Sequence, residues 1–187
     1  MNYPDWLSEV ADLLADPESS ARIGAAHAIA YSANEQGVPL LRLRAKIGDQ
    51  PEVLSEYLAA LLKLAPEQSL KFVASYLHAP QPQTQELVAL VLGESRLPEV
   101  FDILRSWWEK TVNPELHSTG LLAIAMIRDD KSFEFLLSII ADGTGPEAKN
   151  AIAALRLYRH DRLLWQRIRE ASEKRGDSNL LKLIDRD

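Results

Sequence analysis

Cysteine is absent from the 187 residues. That excludes disulfides, thiolate metal sites and a cysteine nucleophile together, and it fits a reducing compartment. Glycine is scarce at eight residues, and none clusters into a loop able to cradle a phosphate. No apolar run approaches the roughly 18–20 residues of a membrane span. The opening Met1-Asn2-Tyr3-Pro4-Asp5-Trp6 lacks the basic start and apolar stretch of a signal peptide. A cytoplasmic chain with no membrane contact is expected. An excess of positive charge is missing too: 21 Lys and Arg stand against 27 Asp and Glu, a net charge of −6. Nucleic-acid binding needs cationic surface to displace counterions, so nucleic acid is not the expected partner.

Catalytic signatures are also missing. His27, His78, His117 and His160 stand apart, with no His-Glu-x-x-His pattern and no two histidines at ligand spacing. Ser95 follows Gly93-Glu94 but lacks the second glycine of a nucleophile elbow, and Glu94-Ser95-Arg96 reads as a turn. The sequence offers no catalytic residue, metal ligand or cofactor site.

What the chain does have is a period. Pro17-Glu18, Pro51-Glu52, Pro82-Gln83, Pro114-Glu115 and Pro146-Glu147 recur at intervals of 34, 31, 32 and 32 residues. Proline at the first helical position loses no hydrogen bond and has its φ already set. An acid after it meets the positive end of the helix dipole. Each pair therefore predicts the start of a helix, and an apolar run such as Leu87-Val88-Ala89-Leu90-Val91-Leu92 follows each. After a short polar turn, as at Ser32–Glu35, Ala65–Gln68 or Arg128–Lys131, comes a second, more amphipathic helix. Its stripe is Val38, Leu41, Ala45 in one unit, then Leu70, Val73, Leu77, then Phe101, Leu104, Trp108, then Phe133, Leu136, Ile140. Spacings of three, four and seven are helical. Residues 4–15 predict an opening helix, with Trp6, Leu7, Val10, Leu13 and Leu14 on one face. Residues 178–185 predict a closing one. No alternating strand pattern is visible.

The pattern Asp16-Pro17-Glu18, Arg22, Ala25-Ala26, Ile29 and Val38-Pro39-Leu40-Leu41 resembles a short HEAT repeat of the phycobilisome-lyase-like kind. The resemblance extends over about residues 16–175 and is closest in the first unit. It implies an all-α fold: a right-handed α-solenoid of about five helix pairs with capping helices at both ends. The units would be 16–48, 49–79, 80–111, 112–143 and 144–176, in a single domain. It also implies an arginine in the first helix, matched by Arg22, whereas the equivalent places hold Glu56, Glu86 and Asn150. A tetratricopeptide solenoid would show tryptophan, Leu-Gly and tyrosine at fixed places in each unit, and these are missing.

Stacked repeats present extended surfaces, so the expected function is a non-catalytic protein-binding module. Its second helices would line a concave face and hold a protein partner. Candidate contacts are Arg42, Lys46, Lys71, Asp102, Arg105 and Glu134, with Arg162 and Arg169 at a basic end. Trp107 and Trp108 fall on the apolar face of their helix, where packing competes with a role as binding anchors. The resemblance also allows two alternatives: an accessory subunit of a chromophore lyase or other enzyme, and a nucleic-acid-binding HEAT-like protein. Charge is unevenly placed. Residues 1–35 hold six acids against Arg22, while residues 149–175 hold eight bases against three acids. The basic end is either a solvated cap or a docking surface for an acidic partner, including the acidic end of a second copy.

Overall fold

The computed structural model describes residues 6–185. Among them lie twelve α-helices and no strand. The helices are α1 (Trp6–Leu13), α2 (Ser19–Ser32), α3 (Val38–Ile47), α4 (Pro51–Leu64), α5 (Pro66–Ser75) and α6 (Pro82–Ser95), then α7 (Val100–Lys110), α8 (Pro114–Ile127), α9 (Asp130–Asp142), α10 (Gly145–Leu155), α11 (Arg162–Arg175) and α12 (Ser178–Ile184). The expected helical-repeat architecture is therefore present. The chain divides into two compact units, residues 1–95 and 96–187. The division falls in the turn between α6 and α7, inside the third of the expected repeats.

In unit 1 the first helices α2, α4 and α6 pack side by side, while α3 and α5 each pack on α4. This central position of α4 explains why it reads as apolar all round. Val53, Leu54, Tyr57, Leu58, Leu61 and Leu62 are all buried there. The second helices α3 and α5 reach each other through long side chains. Arg42 of α3 donates to the Gln68 carbonyl, and the Tyr76 hydroxyl donates to the Ala45 carbonyl at 2.9 Å. That last bond satisfies one of the carbonyls left open where α3 ends.

The first repeat is locked by a buried ionic network. Arg22 uses all five of its N–H donors. It grips Asp49 with two bonds of 2.9 Å and donates to the carbonyls of Asp16 and Pro17 and to Ser19 Oγ. The Tyr57 hydroxyl donates to the same carboxylate at 3.0 Å, and Arg44 approaches it at 3.3 Å. Burial alone would raise the Asp49 carboxyl, but the hydrogen bonds from Arg22, Gln50 N–H and Tyr57 outweigh it and hold the carboxyl below its ordinary range. This network also moves a predicted boundary. The Pro17-Glu18 pair does not open α2, which starts at Ser19. Asp16 and Pro17 are held outside the helix because their carbonyls accept from Arg22 and the Asp16 carboxylate accepts from Glu18 N–H at 2.8 Å.

Unit 2 repeats the plan. Here α7 packs on α8, α8 on α10, and α9 on both α10 and α11. Side chains cap the helix starts: Asn113 accepts from Glu115 and Leu116, Asp129 from Ser132, and Asp161 from Leu163 and Leu164. Thr144 and Glu147 form a reciprocal capping box on α10. Carbonyls at helix ends again accept from side chains of the next repeat. Tyr158 donates to Ala125 at 2.8 Å, and Arg175 donates to Ile140 and Gly143 at 2.9 and 2.7 Å.

The second-helix stripes are buried as expected, from Val38, Leu41 and Ala45 to Phe133, Leu136 and Ile140. Two other expectations need correction. The stretch Ala65–Gln68 is not a turn, because a second Pro-Glu pair, Pro66-Glu67, opens α5 directly after Ala65. In the opening helix Leu13 is 44% exposed, while Leu14, one position on, is buried against unit 1. A step of 100° per residue is enough to separate them. The predicted first residues of that helix, 4 and 5, lie outside the described residues. α12 does cover α10 and α11, and it buries Leu180 and Ile184.

Candidate functional site

A groove of about 490 Å³ runs across the first helices of unit 1. Its floor is made of small residues, Ala30 of α2, Ala59 and Ala60 of α4, and Val91 of α6. Small side chains let the three helices approach closely and leave a shallow trough between their flanks. The rim is polar. His27 Nε2 lies 2.8 Å from Glu56 Oε2, joining α2 to α4. Lys63 places its ammonium 3.4 Å from the centroid of the Tyr31 ring, an attraction of cation for π-face. Tyr31 is 75% exposed, the most open aromatic side chain among the described residues of this unit. Glu94 completes the rim and makes no ion pair among the described residues. His27, predicted to stand alone, is thus paired by the fold with a glutamate 29 positions away.

The charges of unit 1 are sorted by layer. Helices α4 and α6 carry Glu52, Glu56, Glu86 and Glu94, whereas the cations of the first helices are Arg22, buried on Asp49, and Lys63. The second helices α3 and α5 carry Arg42, Arg44, Lys46 and Lys71 against Glu67. The groove therefore opens on an acidic face with one surface ammonium.

The candidates read from the sequence fall into three sets. Trp107 and Trp108 are core residues, only 5% and 6% exposed, and this overturns their reading as surface anchors. Trp108 stacks on the His117 ring at 4.3 Å and donates to the His117 carbonyl at 3.0 Å. Both indoles close over Gly120, where an added Cβ would sit 2.8 Å from Trp108 Cδ1. Burial pushes the His117 imidazole down, offset in part by the charge of Glu147.

A second set is engaged with neighbouring repeats. Asp102 of α7 pairs with Lys131 of α9 at 2.8 Å, and Glu134 of α9 pairs with Arg167 of α11 at 2.6 Å. The cations also lie over phenylalanines: Lys131 over Phe101, Arg167 over Phe133, and Arg105 over Phe135 while paired with Glu109. In unit 1 Arg42 lies over Phe72 in the same relation. Arg169 pairs with Asp185. The third set, Lys46, Lys71 and Arg162, is exposed and makes no ion pair among the described residues.

The groove residues lie outside the sequence candidates, yet a signal for them exists. Tyr31, Lys63 and Glu94 are 32 and 31 residues apart, the repeat period itself, so they occupy one register position on three successive first helices. Among the described residues no group of three His, Asp or Glu side chains comes together as a metal site. No helix among them is long and apolar enough to cross a membrane.

Residues 70–156 match the family model described as HEAT repeats. The match covers the later units, whereas the resemblance in the sequence is closest in the first. No curated protein matches the chain.

Proposed function

For a chain that carries HEAT repeats, which commonly mediate protein–protein interaction, we propose a module that binds a basic segment of a protein partner in the groove of unit 1. The observation that carries this is the groove's make-up: an apolar floor, an exposed tyrosine and an acidic rim across three consecutive first helices. Each part has a role in recognition. The alanine and valine floor accepts an aliphatic side chain. The carboxylates of Glu56 and Glu94 attract a guanidinium or ammonium group. The Tyr31 ring already holds one cation, Lys63, and an arginine of the partner can stack on the same ring or displace the lysine. Tyrosine and arginine, with tryptophan, are the residues most often found to dominate binding energy.

The second-helix layer is the other reading, and one observation favours it. On α3, Leu43 and Ile47 are 55% and 63% exposed next to the unpaired Lys46. An apolar pair beside a free cation would suit an acidic partner.

Affinity capture from the native host, with the chain and two variants as bait, decides between the layers. Tyr31→Ala with Glu94→Lys should lose the partner, at a cost of about 2 kcal/mol or more, some thirtyfold in affinity. Lys46→Glu with Lys71→Glu should retain it. The opposite result moves the function to the second helices.

A further inference from the structure

Resting on the reading of the groove as a site for a basic segment, we propose that one such segment is the turn 156–163 of a second copy of this chain. The cluster of bases at residues 149–175 is not uniform once the fold is known. Three of its later members are committed within their own unit: Arg167 to Glu134, Arg169 to Asp185, and Arg175 to the carbonyls at the end of α9. The earlier members face solvent. Arg162 makes no ion pair among the described residues, and the Arg159 guanidinium donates to the adjoining His160 ring at 3.2 Å. Two leucines stand beside them, Leu157 at 41% and Leu163 at 80% exposure. The segment thus runs from the single helical turn 156–158 into the start of α11, and it exposes Arg159, Arg162, Leu157 and Leu163 around the capping Asp161.

That chemistry matches the groove group by group. A leucine fits the floor of Ala30, Ala59, Ala60 and Val91, and guanidinium groups fit the rim of Glu56 and Glu94. Charge favours the encounter as well. Residues 1–95 hold twelve acids against six bases, whereas residues 149–175 hold eight bases against three acids. The contact is head to tail, because donor turn and acceptor groove are different surfaces. Each added copy leaves a free groove at one end and a free turn at the other, so assemblies lengthen unless the geometry closes a ring. Screening shortens the reach of these charges to about 10 Å at 0.1 M salt, so association belongs to low ionic strength.

Sedimentation velocity of the full chain tests this. At low salt the average mass should rise with protein concentration, and at high salt it should return to that of one chain. A donor-blocked variant, Arg159→Glu with Arg162→Glu, and an acceptor-blocked variant, Glu56→Lys with Glu94→Lys, should each stay monomeric with an unchanged melting temperature. Mixed in equal amounts they should form a dimer and stop there, because one retains the groove and the other retains the turn. A chain that is monomeric at low salt and high micromolar concentration, or a mixture that stays monomeric, overturns the proposal. A labelled peptide of alternating arginine and leucine separates the two levels. If the monomeric chain binds it and the acceptor-blocked variant does not, the second copy is ruled out while the basic-segment groove stands. If the chain neither self-associates nor binds the peptide, both fall.

Discussion

Unit 1 carries twelve acidic residues against six basic ones, whereas unit 2 carries fifteen of each. The whole net charge of −6 therefore belongs to the first half. The halves also place their ion pairs differently. Unit 1 buries Arg22 and Asp49, with side chains 10% and 7% exposed. Unit 2 spans α7, α9 and α11 with the pairs Asp102–Lys131 and Glu134–Arg167, whose side chains are 44–70% exposed. One helix-pair plan is thus held together by two kinds of electrostatics. A buried pair resists salt but is costly to break, because the remaining partner is left charged without solvent. Exposed pairs are individually weak and screened. Unit 1, with its ionic lock buried, leaves an acidic first-helix face open to a partner. Unit 2 uses much of its surface charge on itself.

The largest effect should be common to both halves and sets the baseline. Leu61 and Leu136 are completely buried, and Leu→Ala at either should cost about 2–5 kcal/mol. If the chain folds as a single domain, thermal melting of either variant shows one lowered transition. Two transitions, with only one displaced, would mean that the units fold separately.

The contrast between buried and exposed pairs comes next. Asp49→Ala should cost about 3 kcal/mol, as for other buried pairs that lose one partner. Asp102→Ala should cost less than about 1 kcal/mol. Chemical denaturation at low and high salt checks both, and the Asp49 effect should persist at high salt. Equal costs would erase the distinction between the units.

Acid should separate the halves by pH. The folded-state carboxyl of Asp49 titrates below its ordinary value of 3.8, held down by the hydrogen bonds from Arg22, Gln50 N–H and Tyr57. Its stabilisation is full above that value and is lost as pH falls through the lower, folded one. The folded-state imidazole of His117 titrates below its ordinary value of 6.5, because burial disfavours its charged form. The unfolded chain therefore takes up that proton first, and unit 2 loses stability as soon as pH falls through 6.5. Amide exchange on acidification should show α7 and α8 loosening before α2 and α4. An NMR titration placing the His117 imidazole at or above 6.5 in the folded chain would remove the basis for that order.

The smallest effects concern the tyrosine caps, one in each half. Tyr76→Phe and Tyr158→Phe each remove one hydroxyl bond to a carbonyl of the preceding repeat. Each should cost about 1 kcal/mol. A negligible cost at both sites would show that water satisfies those carbonyls equally well.

Sequence periodicity by itself determined the helices, their pairing and the buried stripes. A proline-led start and a spacing of three and four are local signals, and residues such as Leu104 and Leu136 carry them without help from distant parts of the chain. Boundaries moved where a distant residue intervened, as at α2, where the Arg22 network holds Pro17 outside the helix. The tryptophans show the same limit: the stripe placed Trp107 and Trp108 on an apolar face, and the bare backbone of Gly120 decided that both would be covered. The groove was decided by tertiary structure alone. Tyr31, Lys63 and Glu94 recur at the repeat period, but a period places residues on equivalent helices without saying which flank stays open. Only the packing of α2, α4 and α6 across their alanines brought His27 to Glu56 and Lys63 to Tyr31, because such contacts join residues about one repeat apart that no local rule relates.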